Sequence, residues 1–426
     1  MKRILLLSLL TAVPAAAIDF HDPDALVAAA IEAHPSLTRL RAEAAAARER
    51  VAPAGALPNP MVMAGVQNKQ IDLRDDEMMT MYMLGASQTL VRPAKRESRR
   101  AIAALEAKAI EQQEASLRAE IERDVRLAWY ELAVADAQVA TAENVRLMIE
   151  AVVAAARVRY EVGTAMQADV IRAQLQQSDL EHEILRLRAA RRTALARLLP
   201  LLDLPLTTDV PRVTLPENTD DLKIDAPATP PADHPALVAL ETEVARAEEE
   251  VRLARADLKP DIDLEAQYGY RRLQRDMFSV TARIELPLRK DVRIEPRIRE
   301  AILRGDAAKA RIAELRRALS QAMGEAVVAH EEATNQLRFH QQVLEPQAQL
   351  AFDSTLAAYQ TGSVSFDAIL AAEAAYLRLH LQYYDFLARH AQAVVNYEAL
   401  RRGARAGNLR AGASMSSSAA ASTGSM

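Results

Sequence analysis

Residues 261–286 read DIDLEAQYGYRRLQRDMFSVTARIEL and stand between Pro260 and Pro287, in a chain whose other long segments carry helical periodicity. In the first half, Ile262, Leu264, Ala266, Tyr268 and Tyr270 fall on one face, and Asp261, Asp263, Glu265 and Gln267 on the other. That is the two-residue period of a strand. The second half repeats it: Phe278, Val280, Ala282, Ile284 and Leu286 oppose Ser279, Thr281, Arg283 and Glu285. With the polar link LQRD between them, the halves predict a hairpin, strands about 261–271 and 277–286, with one apolar and one polar face. Each half approaches the roughly 9–11 residues that a tilted strand needs to cross a bilayer. Its aromatic residues stand toward the strand ends, as in an interface belt. A half-buried soluble hairpin would alternate in the same way, so the rest of the chain must decide.

The amino terminus points to export. Lys2 and Arg3 precede an apolar run, and Ala15, Ala16 and Ala17 supply a cleavage site, so residues 1–17 read as a signal peptide. Acidic residues from Asp19 onward stop that run short of the ~20 apolar residues of a membrane-spanning helix. The chain has no cysteine, which excludes disulfides, thiolate metal sites and a lipid-bearing cysteine. Of its 426 residues half are apolar but only 4% aromatic, and Ala is frequent, a composition for long helices packed at close range. The net charge of −5 offers no basic patch for nucleic acid.

A repeat offset by 200 residues organises the chain: His34-Pro35 matches His234-Pro235, Val51 matches Val251, and Pro60 matches Pro260. Tyr160-x-x-Gly163 then answers Tyr359-x-x-Gly362. The expected organisation is a first repeat over 18–200, with strands about 61–68 and 79–90, a Pro-rich linker over 201–233, a second repeat over 234–402, and a disordered tail over 403–426. No Pro or Gly occurs from Glu97 to Glu161. At ~1.5 Å per residue that is a rod on the order of 95 Å. Its apolar seam repeats every seven residues, through Ile121, Ala128, Ala135, Ala142, Ile149 and Ala156, with Val125, Leu132, Val139 and Val153 beside it and Arg146 as its one break. The second long helix is expected over 296–361, with Gly305 and Gly324 interrupting it. At the turns YEVGTAMQAD and YQTGSVSFDA, Gly163 and Gly362 suit the left-handed residue that ends a helix. Thr164 with Gln167 reads as a capping box for the next one.

The signal, the duplicated order of helix, strand pair, long helix, Tyr-x-x-Gly turn and helix, the LPNP run at 57–60, the SQTLVRPAKR run at 87–96 and the Pro-rich linker together resemble the outer-membrane factor, or TolC, family. The resemblance covers nearly all of the mature chain. It implies a mainly α subunit with a membrane β-barrel portion, three copies closing a 12-stranded barrel in the outer membrane and continuing as a helical tunnel through the periplasm. The implied partners are a periplasmic adaptor and, through it, an inner-membrane pump, and the implied role is a passive efflux duct. Physics asks for closure too, since four strands per chain leave two edges whose backbone groups lipid cannot satisfy.

No His-Glu-x-x-His pattern, phosphate loop or nucleophile elbow is present, so neither an enzyme nor a cofactor is expected. A periplasmic adaptor would carry one helical hairpin among β-rich modules, whereas this chain carries two hairpins and few strands. Protein secretion and drug efflux remain alternatives for the cargo. Three sets of site residues emerge. The tips Tyr160, Gly163, Thr164, Tyr359, Gly362 and Ser363 are expected to dock on the adaptor. Asp169 and Asp367 are expected to ring the tunnel mouth, although both also suit a helix first turn through its dipole. Met61, Met63, Met79, Met81 and Met83, five of the chain's 13 Met, share a parity that the repeat places on the wet face. Thioethers there suit a soft cation such as Cu(I) or Ag(I) in transit. LPNP and Gln67-Asn68 also look similar to the heavy-metal branch of the family.

Overall fold

A computed structural model of the chain describes residues 18–69, 79–215, 223–224, 228–272 and 274–405. The expected signal peptide, residues 216–222 and 225–227 of the linker and the tail beyond residue 405 lie outside them. The elements run α1 (Pro23–Ala33), α2 (Pro35–Ala54), β1 (Met61–Gln67), β2 (Met81–Leu90), α3 (Pro93–Glu161), α4 (Gln167–Leu201), α5 (Pro235–Ala256), β3 (Ile262–Tyr270), β4 (Met277–Ile284), α6 (Lys290–Arg293), α7 (Glu295–Phe339), a π-helical turn (His340–Leu344), α8 (Glu345–Gln360) and α9 (Phe366–Arg402). The subunit is thus mainly helical, with one short antiparallel sheet and a helix/strand pattern that recurs in its second half. Two compact units result, each drawing on both halves of the chain.

One unit comprises Thr38–Ala115 and Pro235–Arg316. Its sheet is antiparallel in the order β1-β2-β3-β4. The helices around it pack through small residues, with Ala44, Ala47, Ala103, Ala107, Ala247, Ala254, Ala301 and Ala308 all buried. Arg41–Glu114 at 2.9 Å and Arg48–Glu111 at 2.6 Å join α2 to α3. At the foot of the sheet Lys95, only 5% exposed, lies 3.3 Å from Asp257 and 3.0 Å from Asp261. Arg92 donates its backbone N–H to Asp261 and its Nε–H to the Pro260 carbonyl, and Arg96 donates Nε–H to the Gly55 carbonyl. A cation with two carboxylates is what allows Lys95 to be buried. The VRPAKR run therefore bolts the start of α3 to the chain entering β3.

The other unit comprises Met1–Leu37, Ser116–His234 and Arg317–Met426. Every residue of the seven-residue seam in α3, from Ile121 to Ala156, is buried here. One apolar core gathers Phe20, Leu26 and Leu37 with Val125, Trp129, Leu132, Leu198 and Leu199, and Trp129 donates Nε1–H to the Phe20 carbonyl at 2.9 Å. A second gathers Val139, Ile149, Val153, Leu180, Ile184, Tyr359, Phe366 and Ile369. The segment after α4, expected as a plain connector, is part of the first core through Leu202, Val210 and Val213. The buried Asp136 carboxylate holds it, facing Arg191 Nε at 2.5 Å and accepting the Val213 N–H at 3.0 Å.

Two local expectations are corrected. Gly305 and Gly324 lie inside a continuous α7, because packed neighbours outweigh the roughly 1 kcal/mol helix cost of a glycine. The interruption falls at His340–Leu344 instead. Pro346 follows as the second residue of α8, and its ring and missing N–H account for the widening of the preceding turn into a π turn. Gly403 at φ 125° ends α9, and Ala404 is fully buried, so the chain stays ordered past the predicted start of the tail.

Candidate functional site

The sheet carries the first candidate surface. Register places Met61, Met63, Met81, Met83, Ser87, Asp263, Glu265, Gln267, Ser279, Thr281 and Arg283 on one face. The opposite face holds Val62, Ala64, Tyr82, Leu84, Ala86, Leu264, Tyr268, Phe278, Val280 and Ile284. That apolar face is bare: Val62 is 76% exposed, Phe278 71% and Val280 67%. Such a continuous apolar surface marks an interaction with lipid or protein. Its aromatics gather at the end of the sheet nearest the hairpin turns, where Tyr82 pairs with Tyr270 and Tyr268 with Phe278. Gln88 departs from the alternation near the other end, and its amide is occupied by the Pro58 carbonyl at 2.8 Å.

On the polar face Arg283 pairs with Glu265 at 2.7 Å. Gln267 donates to Glu265, and its Nε2 lies 3.6 Å from the Met63 sulfur. Two of the glycines on this face, Gly269 and Gly85, leave room for neighbouring side chains, Met81 at the first and Gln267 with Met63 at the second. A Cβ on Gly269 would lie 2.3 Å from the Met81 sulfur, and one on Gly85 would lie 3.1 Å from Met63 Cγ. Met61, Met63, Met81 and Met83 thus share the face, while Met79 stands in the turn before β2, outside the strand expected to begin there. The room at these glycines was missed because single-strand parity does not show which residue lies opposite.

The helix turns carry the second candidate surface. Gly163 has φ 74° and Gly362 φ 79°, both left-handed. The Thr164 N–H reaches the Arg159 carbonyl at 2.8 Å and the Gly163 N–H the Tyr160 carbonyl at 3.0 Å; Ser363 to Ala358 and Gly362 to Tyr359 repeat the pattern at 2.9 and 3.0 Å. These are paired Schellman closures. The Thr164–Gln167 capping box does not form. Because α4 begins at Gln167, the residue three into it is Asp169, whose carboxylate accepts the Met166 N–H at 3.3 Å. Thr164 instead donates its hydroxyl to the Arg159 carbonyl.

The two tips are unequal. Tyr160 is 45% exposed, whereas Tyr359 is buried against Phe366 with ring centroids 5.5 Å apart. Arg159 lies over the Tyr359 ring at 4.6 Å and donates to its carbonyl. Burial raises the Tyr359 hydroxyl above the usual phenol range, a rise that the Arg159 charge offsets in part. The second acidic candidate, Asp367, opens α9 and pairs with Arg172 at 2.9 Å. Asp169 and Asp367 thus each serve a helix start, and the structure brings Asp367 to Arg172 rather than to Asp169. Neither Arg159 nor Arg172 was visible as a site residue, since the repeat places Ala358 opposite the first and Ala371 opposite the second. Among the described residues no helix is long and apolar enough to cross a membrane, and no group of three or more His, Asp or Glu could hold a metal ion.

The family model for outer membrane efflux proteins matches residues 26–202 and 231–405. The chain belongs to the outer membrane efflux protein family. Both matched segments lie either side of the linker, so the family pattern itself occurs twice. Among solved structures, this outer-membrane efflux protein resembles CusC, with TM-score 0.76, 18% identity and coverage of 90% of this chain and 92% of the other. The outer-membrane channel OprN follows at TM-score 0.74 and 18% identity, covering 90% and 91%. VceC of Vibrio cholerae gives 0.72 and 20%, covering 89% and 96%. At these identities the likeness carries the fold. No curated protein matches the chain by sequence. Family membership makes the protein a conduit of the outer membrane rather than an enzyme.

Proposed function

We propose that this outer-membrane efflux protein acts as a homotrimer, in which three sheets close a 12-stranded barrel and the helices continue as a duct through the periplasm. The observation that carries this is the sheet: an exposed apolar face, a polar face, and two edge strands, β1 and β4, without further partners in the sheet. An unpaired backbone group in lipid costs several kcal/mol, so β4 of one chain must pair with β1 of the next. Because the chain lacks cysteine, the closure can be tested directly. Cysteines placed along β1 and β4 should cross-link into a ladder that ends at three chains. A product that stops at one or two chains, or runs on past three, refutes the reading.

The Tyr-x-x-Gly tips dock on a periplasmic adaptor that joins the duct to an inner-membrane pump. Gly163→Val with Gly362→Val would abolish transport while the trimer stays in the membrane, because a β-branched residue is strained at these positive φ values. Normal export would remove the tips from the docking surface. Asp169 and Asp367 lend the duct mouth cation preference; unchanged conductance and selectivity in Asp169→Asn with Asp367→Asn would remove them.

The cargo favoured by the polar face is a soft monovalent cation such as Cu(I) or Ag(I), with Met61, Met63, Met81 and Met83 as successive weak thioether contacts. Met79 joins them from the turn. The support is the shared face and the room that Gly85 and Gly269 leave on it for Met63 and Met81. Replacing the five Met by Leu should lower silver and copper tolerance in cells that depend on this duct, with trimer level unchanged. Equal tolerance would confine these residues to packing and leave drugs or secreted protein as the cargo.

A further inference from the structure

Two turns into α9, Glu373 sets a carboxyl group in an apolar wall. It is 2% exposed and lies among Ile149, Val152 and Val153 of α3, Ala173 of α4 and Ile369 of its own helix. Its Oε2 accepts the Gln176 Nε2–H at 2.9 Å, whereas Oε1 is buried without a hydrogen-bond partner. The free space beside these side chains is about 10 Å³, at the lower limit for a single water, and its other walls are apolar. The charges of the packed elements are turned to other partners. On α3, Arg146 lies 3.5 Å from Glu181 and 3.7 Å from Glu150, and Arg159 donates to the Tyr359 carbonyl. On α4, Asp169 accepts the Met166 N–H, and Arg172 pairs with Asp367 of α9 at 2.9 Å. Tyr376, three residues further along α9, is a phenol whose pKa burial raises. Burial likewise raises the Glu373 carboxyl above its ordinary range, opposed by the Gln176 hydrogen bond.

We propose that Glu373 and Gln176 form a proton-operated latch between α9 and α4, which close on the neutral acid and part when it gives its proton to solvent. A carboxylate with neither a cation nor water beside it is strongly disfavoured, so ionisation has to bring water to Glu373. The route for that water is the seam between α4 and α9, which Gln176 and Glu373 span. In the parted form the carboxyl is hydrated and returns to the ordinary carboxylate range. Acid therefore favours the closed form and alkali the parted one. The Arg172–Asp367 pair ties the same helices nearer their starts, but its side chains are exposed and hold less firmly in salt. Because α4 follows the Gly163 turn and α9 the Gly362 turn, the latch stands just behind both tips. That its release widens the duct mouth rests on the duct reading, whereas the parting of the helices does not.

The chain lacks cysteine, so Ser178→Cys on α4 and Ala375→Cys on α9, both at exposed positions, can carry a pair of spin labels in the full-length protein. Co-expression with an excess of unlabelled chain keeps the measured distance within one chain. From about pH 5 to about pH 9, the span in which a buried carboxylic acid loses its proton, the distance between the labels should lengthen. Glu373→Gln keeps the shape of the neutral acid and cannot ionise, so it should hold the acid-side distance throughout. A distance that is the same at both ends of the range in the unsubstituted chain overturns the latch. So does a Glu373→Gln chain whose distance lengthens as the unsubstituted one does. A pH-dependent distance in a protein whose β1 and β4 cysteine ladder does not stop at three chains would leave the latch standing and refute the duct reading instead.

Discussion

Replacing Asp136 by Ala should release the segment that follows α4. Asp136 is 2% exposed, faces Arg191 Nε and accepts the Val213 N–H, while Arg191 also holds the Val210 and Pro211 carbonyls. The substitution removes one charge-assisted bond and orphans one buried N–H, each about 1–3 kcal/mol. The Arg191 side chain is 22% exposed and recovers part of its loss from water, so a total of about 3 kcal/mol is reasonable. That raises the open population of the segment on the order of a hundredfold. Trypsin cutting after Arg212 reads this population when reclosing is faster than cleavage. The assay works on the native protein and needs no reversible unfolding. Asp136→Ala should be cut on the order of a hundred times faster there, and Asp136→Asn, which keeps one acceptor, to an intermediate degree. Cleavage at Arg212 within about threefold of wild type would refute the assigned role, since threefold is under 1 kcal/mol.

Two pH dependences follow from buried groups. Burial, with the His330 ring 4.7 Å away adding to it, lowers His390 from 6.5 to about 4, so between those values the unfolded chain binds a proton that the folded chain refuses. Stability should fall by up to about 3 kcal/mol per chain as pH drops from 6.5 to 4, and His390→Asn should flatten that slope in thermal inactivation measured across the window. Burial raises Glu373, whose Oε2 accepts the Gln176 amide while Oε1 has no partner. Its contribution is therefore present below the ordinary carboxylate range and lost as pH rises, so Glu373→Gln should stabilise the protein more at pH 8 than at pH 4. An equal effect at both values would remove Glu373 from the pH response.

The sheet and the tips were legible because each rests on a short-range rule. Alternation alone assigns Val280 and Thr281 to opposite faces, and a helix that must stop sharply calls for Gly163 and Gly362. Long-range partners were not legible. Nothing near Asp136 in the sequence names Val213, and Arg159 gave no repeat signal because Ala358 stands opposite it. Gly305 and Gly324 suggest a break in the second long helix, whereas it is Pro346 that removes a backbone donor there and so sets the π turn. Parity alone places Met79 in β2, although strand pairing begins only at Met81.

If the apolar face of the sheet meets lipid and the polar face water, two single arginines should separate them. Val280 and Thr281 are adjacent near the middle of β4 and point to opposite faces, opposite Ala266 and Glu265 of β3. An arginine on a lipid-facing strand at mid-membrane costs about 2–4 kcal/mol, and a lumen-facing one close to nothing. The measurement is the amount of each variant recovered as assembled protein in the outer membrane. Severe loss is expected for Val280→Arg and near-normal assembly for Thr281→Arg, where the new charge lies beside Glu265. Equal recovery of the two, or greater loss for Thr281→Arg, would contradict that assignment of the faces.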